Sequence, residues 1–260
     1  MNDRVRGCPV CDSPDSCMAA LCEPEHLGQS GLISRQTGFR RGDVIHRAGD
    51  RIQYIHFIRS GLLKMEAVQP IGRNLILRLH GRGGIIGQRA LWGAKRYTDT
   101  AVAVEEGDFC AFDMDALKGL YEKNTQLQVG LHRMMVEELE EAETRMMQMA
   151  CLNVRQKVAQ MLLTMAQKYG YAGHGEAIYV HLGRQDMADM AGTTKEQVSK
   201  VLADLESEGL LRFSAKHFHY FDLEGLTRII TRKETTEEEE GKGRGEKGTP
   251  KKPAQKAGRK

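Results

Sequence analysis

Four of the chain's six cysteines, Cys8, Cys11, Cys17 and Cys22, fall in one early stretch, RGCPVCDSPDSCMAALC. Thiolates at such spacing grip a metal ion or cluster, or exchange a disulfide. The start, MNDRVRGC, is too polar for a signal peptide, so the protein is expected in the cytoplasm, where thiols are kept reduced. A disulfide framework is then disfavoured, and clustered cysteines read as metal or redox sites. Structural zinc sites pair two C-x-x-C knuckles or add a spaced histidine pair, and the chain has no second knuckle. Cys110, in GDFCAFD, reads by itself as a small buried hydrophobe, Cys22 could complete an all-leader set of four thiols, and Cys151 is expected in the core. The sequence offers no nucleophile–base pair and no phosphate loop, so an enzyme is not expected.

A second group of residues points to nucleic acid. In GRQDMADMAGTTKEQVSKVLADLESEGLLRF, Arg184 to Met190 form a short helix and Ala191-Gly192-Thr193 a tight turn. Thr194 opens a second helix, with Gln197 three residues on as a capping box. Val198, Val201, Leu202 and Leu205 form its buried face, which is helix-turn-helix spacing. The second helix of such a unit enters the major groove with its N-terminal residues near base edges. Lys195, Glu196, Ser199 and Lys200 lie opposite the apolar face. Glu196 suits a cytosine amino group, Lys200 suits guanine, and Ser199 suits a base or a phosphate. Arg184 and Thr194 complete the expected DNA-contact set. The following LLRFSAKHFHYFD reads as a hairpin wing with Lys216 at its tip, near phosphate.

These groups need elements to hold them. The fold class expected is α+β in five parts. Residues 1–27 form a Cys-rich leader, and 28–116 a β-sandwich or jelly-roll sensor domain. Residues 117–151 form a long dimerisation helix, 152–230 a winged helix-turn-helix domain, and 231–260 a charged, disordered tail. The β-domain is legible in short alternating strands punctuated by Gly42-Asp43, Gly49-Asp50 and Ser60-Gly61. A further strand is expected at 177–183. From Leu117 to Ala150 the period is helical, and Met135, Leu139, Ala142, Met146 and Met149 step as a heptad seam for a homodimer. Glu137, Glu138, Glu140, Glu141 and Glu143 flank it as a solvated face. Residues are 40% hydrophobic and 28% charged, with net charge +3. No run approaches the ~20 apolar residues of a membrane helix.

β-domain, long helix, then winged helix-turn-helix is the order of parts in the cyclic-AMP receptor/FNR family of bacterial transcription regulators, which residues 35–225 resemble. The resemblance implies a homodimer on a pseudo-palindromic double-stranded operator, with RNA polymerase as a further partner, as an activator does. In the cyclic-nucleotide branch a G-E-L segment and, about ten residues on, R-S-A or R-T-A hold the ribose and phosphate. The matching segments are Gly87-Gln88-Arg89 and Asp99-Thr100-Ala101, so an aspartate stands where a phosphate would need a cation. Arg89 or Arg96 could in principle compensate for the missing cation, but the pocket is still not expected to hold cyclic AMP. The chain is more similar to the FNR branch, whose 4Fe–4S ligands are a C-x-x-C-x5-C leader and a late-strand cysteine. The resemblance implies Cys8, Cys11, Cys17 and Cys110 as metal ligands, and oxygen or redox state as the signal. One departure stands out. Where that branch carries E-x-x-S-R, this helix reads Glu196 to Lys200 with lysine last, and lysine lacks arginine's planar fork.

Overall fold

The computed structural model describes residues 4–7, 21–22, 33–68, 74–169, 182–214 and 217–231. Residues up to Ile230 form one compact unit. Cys8, Cys11, Cys17, Lys216, residues 177–181 of the strand expected at 177–183 and the tail from 232 lie outside the described residues, and 182–183 are not in a strand.

The first half is a seven-stranded antiparallel β-structure, as the alternating pattern anticipates. Its strands are β1 (Arg4–Gly7), β2 (Ile33–Phe39), β3 (Val44–His46), β4 (Tyr54–Val68), β5 (Asn74–His80), β6 (Ile85–Ile86) and β7 (Thr100–Asp113). The main path is β1-β2-β7-β4-β5, with β3 on β7 and β6 on β4. Two tetrads, Arg40-Arg41-Gly42-Asp43 and Arg47-Ala48-Gly49-Asp50, make the same turn. Each aspartate carboxylate accepts from the backbone N–H three residues earlier at 2.8 Å, and each glycine sits at φ 89°, where a side chain would be strained.

Strand alternation divides the β-domain into two faces. Phe109 and Ala111 join Phe39, Ile58, Leu63 and Tyr97 in the interior of the roll. Cys110 and Phe112 join Ile55, Phe57 and Ile85 on the opposite face, which the helices cover.

The helical half begins with α1 (Met114–Lys123) and α2 (Thr125–Cys151). The sequence reads as one helix here, but the chain breaks at Asn124. That residue is fully buried, takes an extended backbone, and caps α2 by accepting from Leu127 N–H at 2.9 Å. Cys151, expected in the core, closes α2 at the surface instead, because it falls on the solvent side of the last turn. Next come α3 (Val154–Tyr169), α4 (Arg184–Ala191), α5 (Lys195–Ser207), the hairpin β8 (Leu211–Ser214) and β9 (His217–Phe221), and α6 (Leu223–Thr231). The sequence reading missed α6, which starts where Asp222 Oδ1 accepts from Gly225 N–H at 2.9 Å. The architecture is thus a β-rich domain, a long helix and a winged helix-turn-helix. Among the described residues no helix is long and apolar enough to cross a membrane.

Candidate cysteine site and DNA-reading helix

Cys110 occupies a defined row of the sheet. Arg4 pairs with Gln36, Gln36 with Cys110, Cys110 with Phe57, and Phe57 with Ile85. The side chain is 9% exposed and packs in one apolar cluster with Leu117, Leu120, Leu127 and Leu131 of α1 and α2. Cys22, 3% exposed, lies in that same cluster. Leu21 beside it seats against Gly130. A Cβ on Gly130 would come within 2.9 Å of the leucine side chain, so the glycine is what admits it.

The N-terminal side of the leader is tied to the same sheet. β1 pairs antiparallel with β2, from Arg4 opposite Gln36 to Gly7 opposite Ile33. β1 is therefore two strand spacings, about 10 Å, from β7. The described flanks of the segment carrying Cys8, Cys11 and Cys17 are thus β1, which ends at Gly7, and Leu21 and Cys22, in the cluster that holds Cys110. The three described cysteines form no disulfide. Among the described residues no group of three His, Cys, Asp or Glu could hold a metal.

The place where the resemblance puts a cyclic nucleotide is filled by side chains. Buried Asp99 accepts from Arg78 Nη2 at 3.0 Å and lies 3.4 Å from His46 Nε2. Burial alone would raise the Asp99 carboxyl, but His46 and Arg78 hold it below the usual aspartate range. Arg78 Nη1 also donates to Glu138 of α2 at 3.2 Å, and Gln88 Nε2 donates to the other Glu138 oxygen at 2.8 Å. Burial pushes the Glu138 carboxyl up despite Arg78 and Arg89. Arg96 donates to the Gly49 carbonyl and Arg89 to Thr98, and Arg78 neutralises the aspartate because β5 points it there. The cavity left beside this network is about 40 Å³, against roughly 300–1,000 Å³ for small-molecule pockets.

Two sets of residues on α2 need separating. Leu127, Leu131, Glu138, Arg145 and Met149 turn toward the chain's own domains. Val129, Val136, Leu139, Met146 and Met147 lie exposed, Leu139 at 59% and Met146 at 67%. Of the expected seam residues, Leu139, Ala142 and Met146 are exposed, Met135 is half-buried and the Met149 sulfur lies against Gly192 of the helix-turn-helix. A 3.5-residue repeat drifts around a 3.6-residue helix, so its end members rotate out of the stripe.

The DNA-reading helix α5 forms as its sequence dictates. Thr194 is its N-cap, accepting from Gln197 N–H at 3.3 Å, while Gln197 reaches back to the Thr194 N–H. Val198, Val201, Leu202 and Leu205 are buried. Lys195, Glu196, Ser199 and Lys200 are exposed together on the outer face. The backbone N–H groups at the start of α5, then Thr194, hold the Glu196 carboxyl below its usual range, so it is an acceptor. Ser199 Oγ donates to the Lys195 carbonyl at 2.8 Å, which leaves it an acceptor outward. The Arg184 guanidinium lies over the Phe213 ring at 4.6 Å and near Phe218, a cation–π contact with the hairpin, and Thr194 is the cap of α5.

Comparison with known proteins agrees with this order of parts. Residues 36–124 match the cyclic nucleotide-binding domain family, and residues 156–229 the Crp-like helix-turn-helix domain family. The chain is 25% identical to the transcriptional regulatory protein btr of Bordetella pertussis, over 88% of this chain and 98% of that protein. It is 23% identical to the anaerobic regulatory protein of Haemophilus influenzae, over 85% and 87%. The fold matches FixK2 of Bradyrhizobium japonicum with a TM-score of 0.70 at 22% identity, covering 78% of this chain and all of that one.

Proposed function

The chain belongs to the Crp/Fnr family of transcription regulators, proteins that bind DNA and are not enzymes, and from that premise we propose that it is a cytoplasmic oxygen or redox sensor. In this reading Cys8, Cys11, Cys17 and Cys110 hold a 4Fe–4S cluster that controls dimerisation and binding to a pseudo-palindromic operator. The observation that carries it is the anchoring of the leader. One flank of the Cys8–Cys17 segment is β1, in the same sheet two strands from Cys110, and the other is Leu21 and Cys22, in the cluster that holds Cys110. The name of the Haemophilus influenzae relative supports oxygen supply as the signal.

The described part of the ligand set fits the group. Four thiolates are needed, and Cys110 presents one from a rigid strand on the face that α1 and α2 cover. Bound by four such thiolates, the cluster supplies a redox-labile link between leader and core. Cys110 is taken as the fourth ligand because it stands on a strand of the sheet, whereas Cys22 belongs to the leader. The chain's own residues do the rest. Leu21 presses on Gly130 in the second turn of α2, and the exposed Val136, Leu139 and Met146 stripe meets a second copy. Two recognition helices then face half-sites about one helical turn apart. A full swing between states requires a preference of about 5.5 kcal/mol for the DNA-binding form.

Anaerobic purification with an absorption spectrum and iron and sulfide assays tests the reading. Stoichiometric iron and sulfide, lost in air, lost in Cys110→Ser and kept in Cys22→Ser, is the expected result. A colourless, iron-free anaerobic protein that still dimerises and binds DNA overturns it.

A further inference from the structure

The interior of the β-roll holds a second cavity that neither the cysteines nor the DNA-reading helix uses. Its volume is about 440 Å³, within the range of small-molecule sites. It shares no lining residue with the small cavity beside Arg78. Phe39, Tyr54, His56 and Phe109 form its walls, and the exposed Asp43 and Val44 form its rim. Phe39 and Phe109 are stacked at 5.8 Å, and His56 meets the Phe109 ring edge-on at 4.6 Å.

His56 is the informative residue. Its Nδ1 is buried and has no hydrogen-bond partner. Buried polar atoms are ordinarily paired, and one left alone is a standing cost that a bound group relieves. Burial first, and then the charge of His46, pulls the imidazole down to about 4, so the ring is neutral at physiological pH. A neutral imidazole gives an anion no charge to pair with, and among the described residues no lysine or arginine lines the cavity. Asp43, the one charged side chain among the described lining residues, repels anions and already accepts from Arg40 N–H at 2.8 Å. Aromatic walls favour a flat ring, and the imidazole favours one hydroxyl.

We propose that this cavity binds an uncharged, ring-bearing alcohol or phenol, with its ring between the aromatic walls and its hydroxyl hydrogen-bonded to His56. The site is a second input to the sensor domain, independent of the thiols.

The test titrates the full-length protein with 1-naphthol, 1-naphthoate and 1-naphthylmethylammonium, followed by calorimetry and by the ring resonances of histidine-labelled protein. Naphthol is expected to bind and to shift the His56 ring signals, with naphthoate and the ammonium at least tenfold weaker. His56→Phe keeps a ring but removes the nitrogen, and should weaken naphthol at least tenfold. Val44→Glu, at the exposed rim, tests the same site without touching the interior and should also weaken naphthol. Equal binding of all three probes, unchanged affinity in both variants, or no His56 shift up to the solubility of naphthol would overturn the proposal.

Discussion

His56 and Asp99 show how burial decides what a titratable side chain does. Because burial lowers His56 to about 4, the unfolded chain takes up its proton near the ordinary 6.5 while the folded chain refuses it. The unfolded state therefore binds more protons between those values, and stability falls as pH drops through that window. Between pH 8 and pH 5 the loss from this one ring is about 2 kcal/mol. Urea melts at the two pH values should show it, and His56→Phe should lose that share of the acid sensitivity. A variant as acid-sensitive as the parent would show that other groups carry the slope. Asp99 works in the opposite sense. Its carboxyl is held low, so its contribution is present above the ordinary aspartate range and fades only as pH falls through the lowered value. The sequence marked Asp99 as a misfit for a phosphate but not its partner. Arg78 and Glu138 lie 21 and 39 positions away from it in the chain, and no local spacing pairs them. By contrast Cys8, Cys11 and Cys17 were legible because C-x-x-C-x5-C is a local pattern. The burial of Cys22 against the same helices as Cys110 was not.

Among the elements, α5 was the most legible, since a cap three residues from its partner and an apolar face at helical spacing are written in one short stretch. In the proposed reading its outer face carries the specificity. Lys200→Ala should weaken operator binding by about 1–3 kcal/mol at fixed salt, with little change for unrelated DNA, as fluorescence anisotropy on both duplexes would measure. Equal losses on both would make Lys200 a phosphate contact. The long helix α2 was half legible. Its apolar spacing was plain, but which side meets the chain's own domains is decided by Leu131, Glu138 and Arg145, residues whose partners lie far off in sequence. That assignment separates two substitutions. Leu139→Glu places a charge on the exposed stripe and should abolish the dimer while leaving the monomer's melting temperature nearly unchanged, as sedimentation and calorimetry would record. Met149→Glu falls on Gly192 and should lower the melting temperature instead.

At the scale of the molecule, the sensor domain, the long helix and the DNA-binding module meet at Arg145. From α2 its Nη1 donates to the Leu77 carbonyl of β5 at 2.8 Å, and its Nη2 donates to the Met190 carbonyl of α4 at 2.7 Å. Lys64 of β4 adds a second tie, 2.8 Å from Asp186 of α4 and 3.0 Å from Glu66. Leu62, Ile76 and Val104 of the β-domain share one apolar cluster with Met187, Met190 and Leu202. A shift of α2 therefore cannot leave α4, and with it the recognition helix, where it was. Arg145→Met keeps the length and apolar stem but leaves two carbonyls without their donor, each hydrogen bond to a charged group being worth about 1.5–3 kcal/mol. The variant should still load iron and still bind operator, because neither the thiols nor α5 is touched. What should collapse is the ratio of operator affinities between anaerobic and air-exposed protein, toward unity. That ratio, measured by anisotropy on both forms with iron content as the control, distinguishes a coupling residue from a merely stabilising one. A purely structural loss would lower the melting temperature and leave the ratio intact.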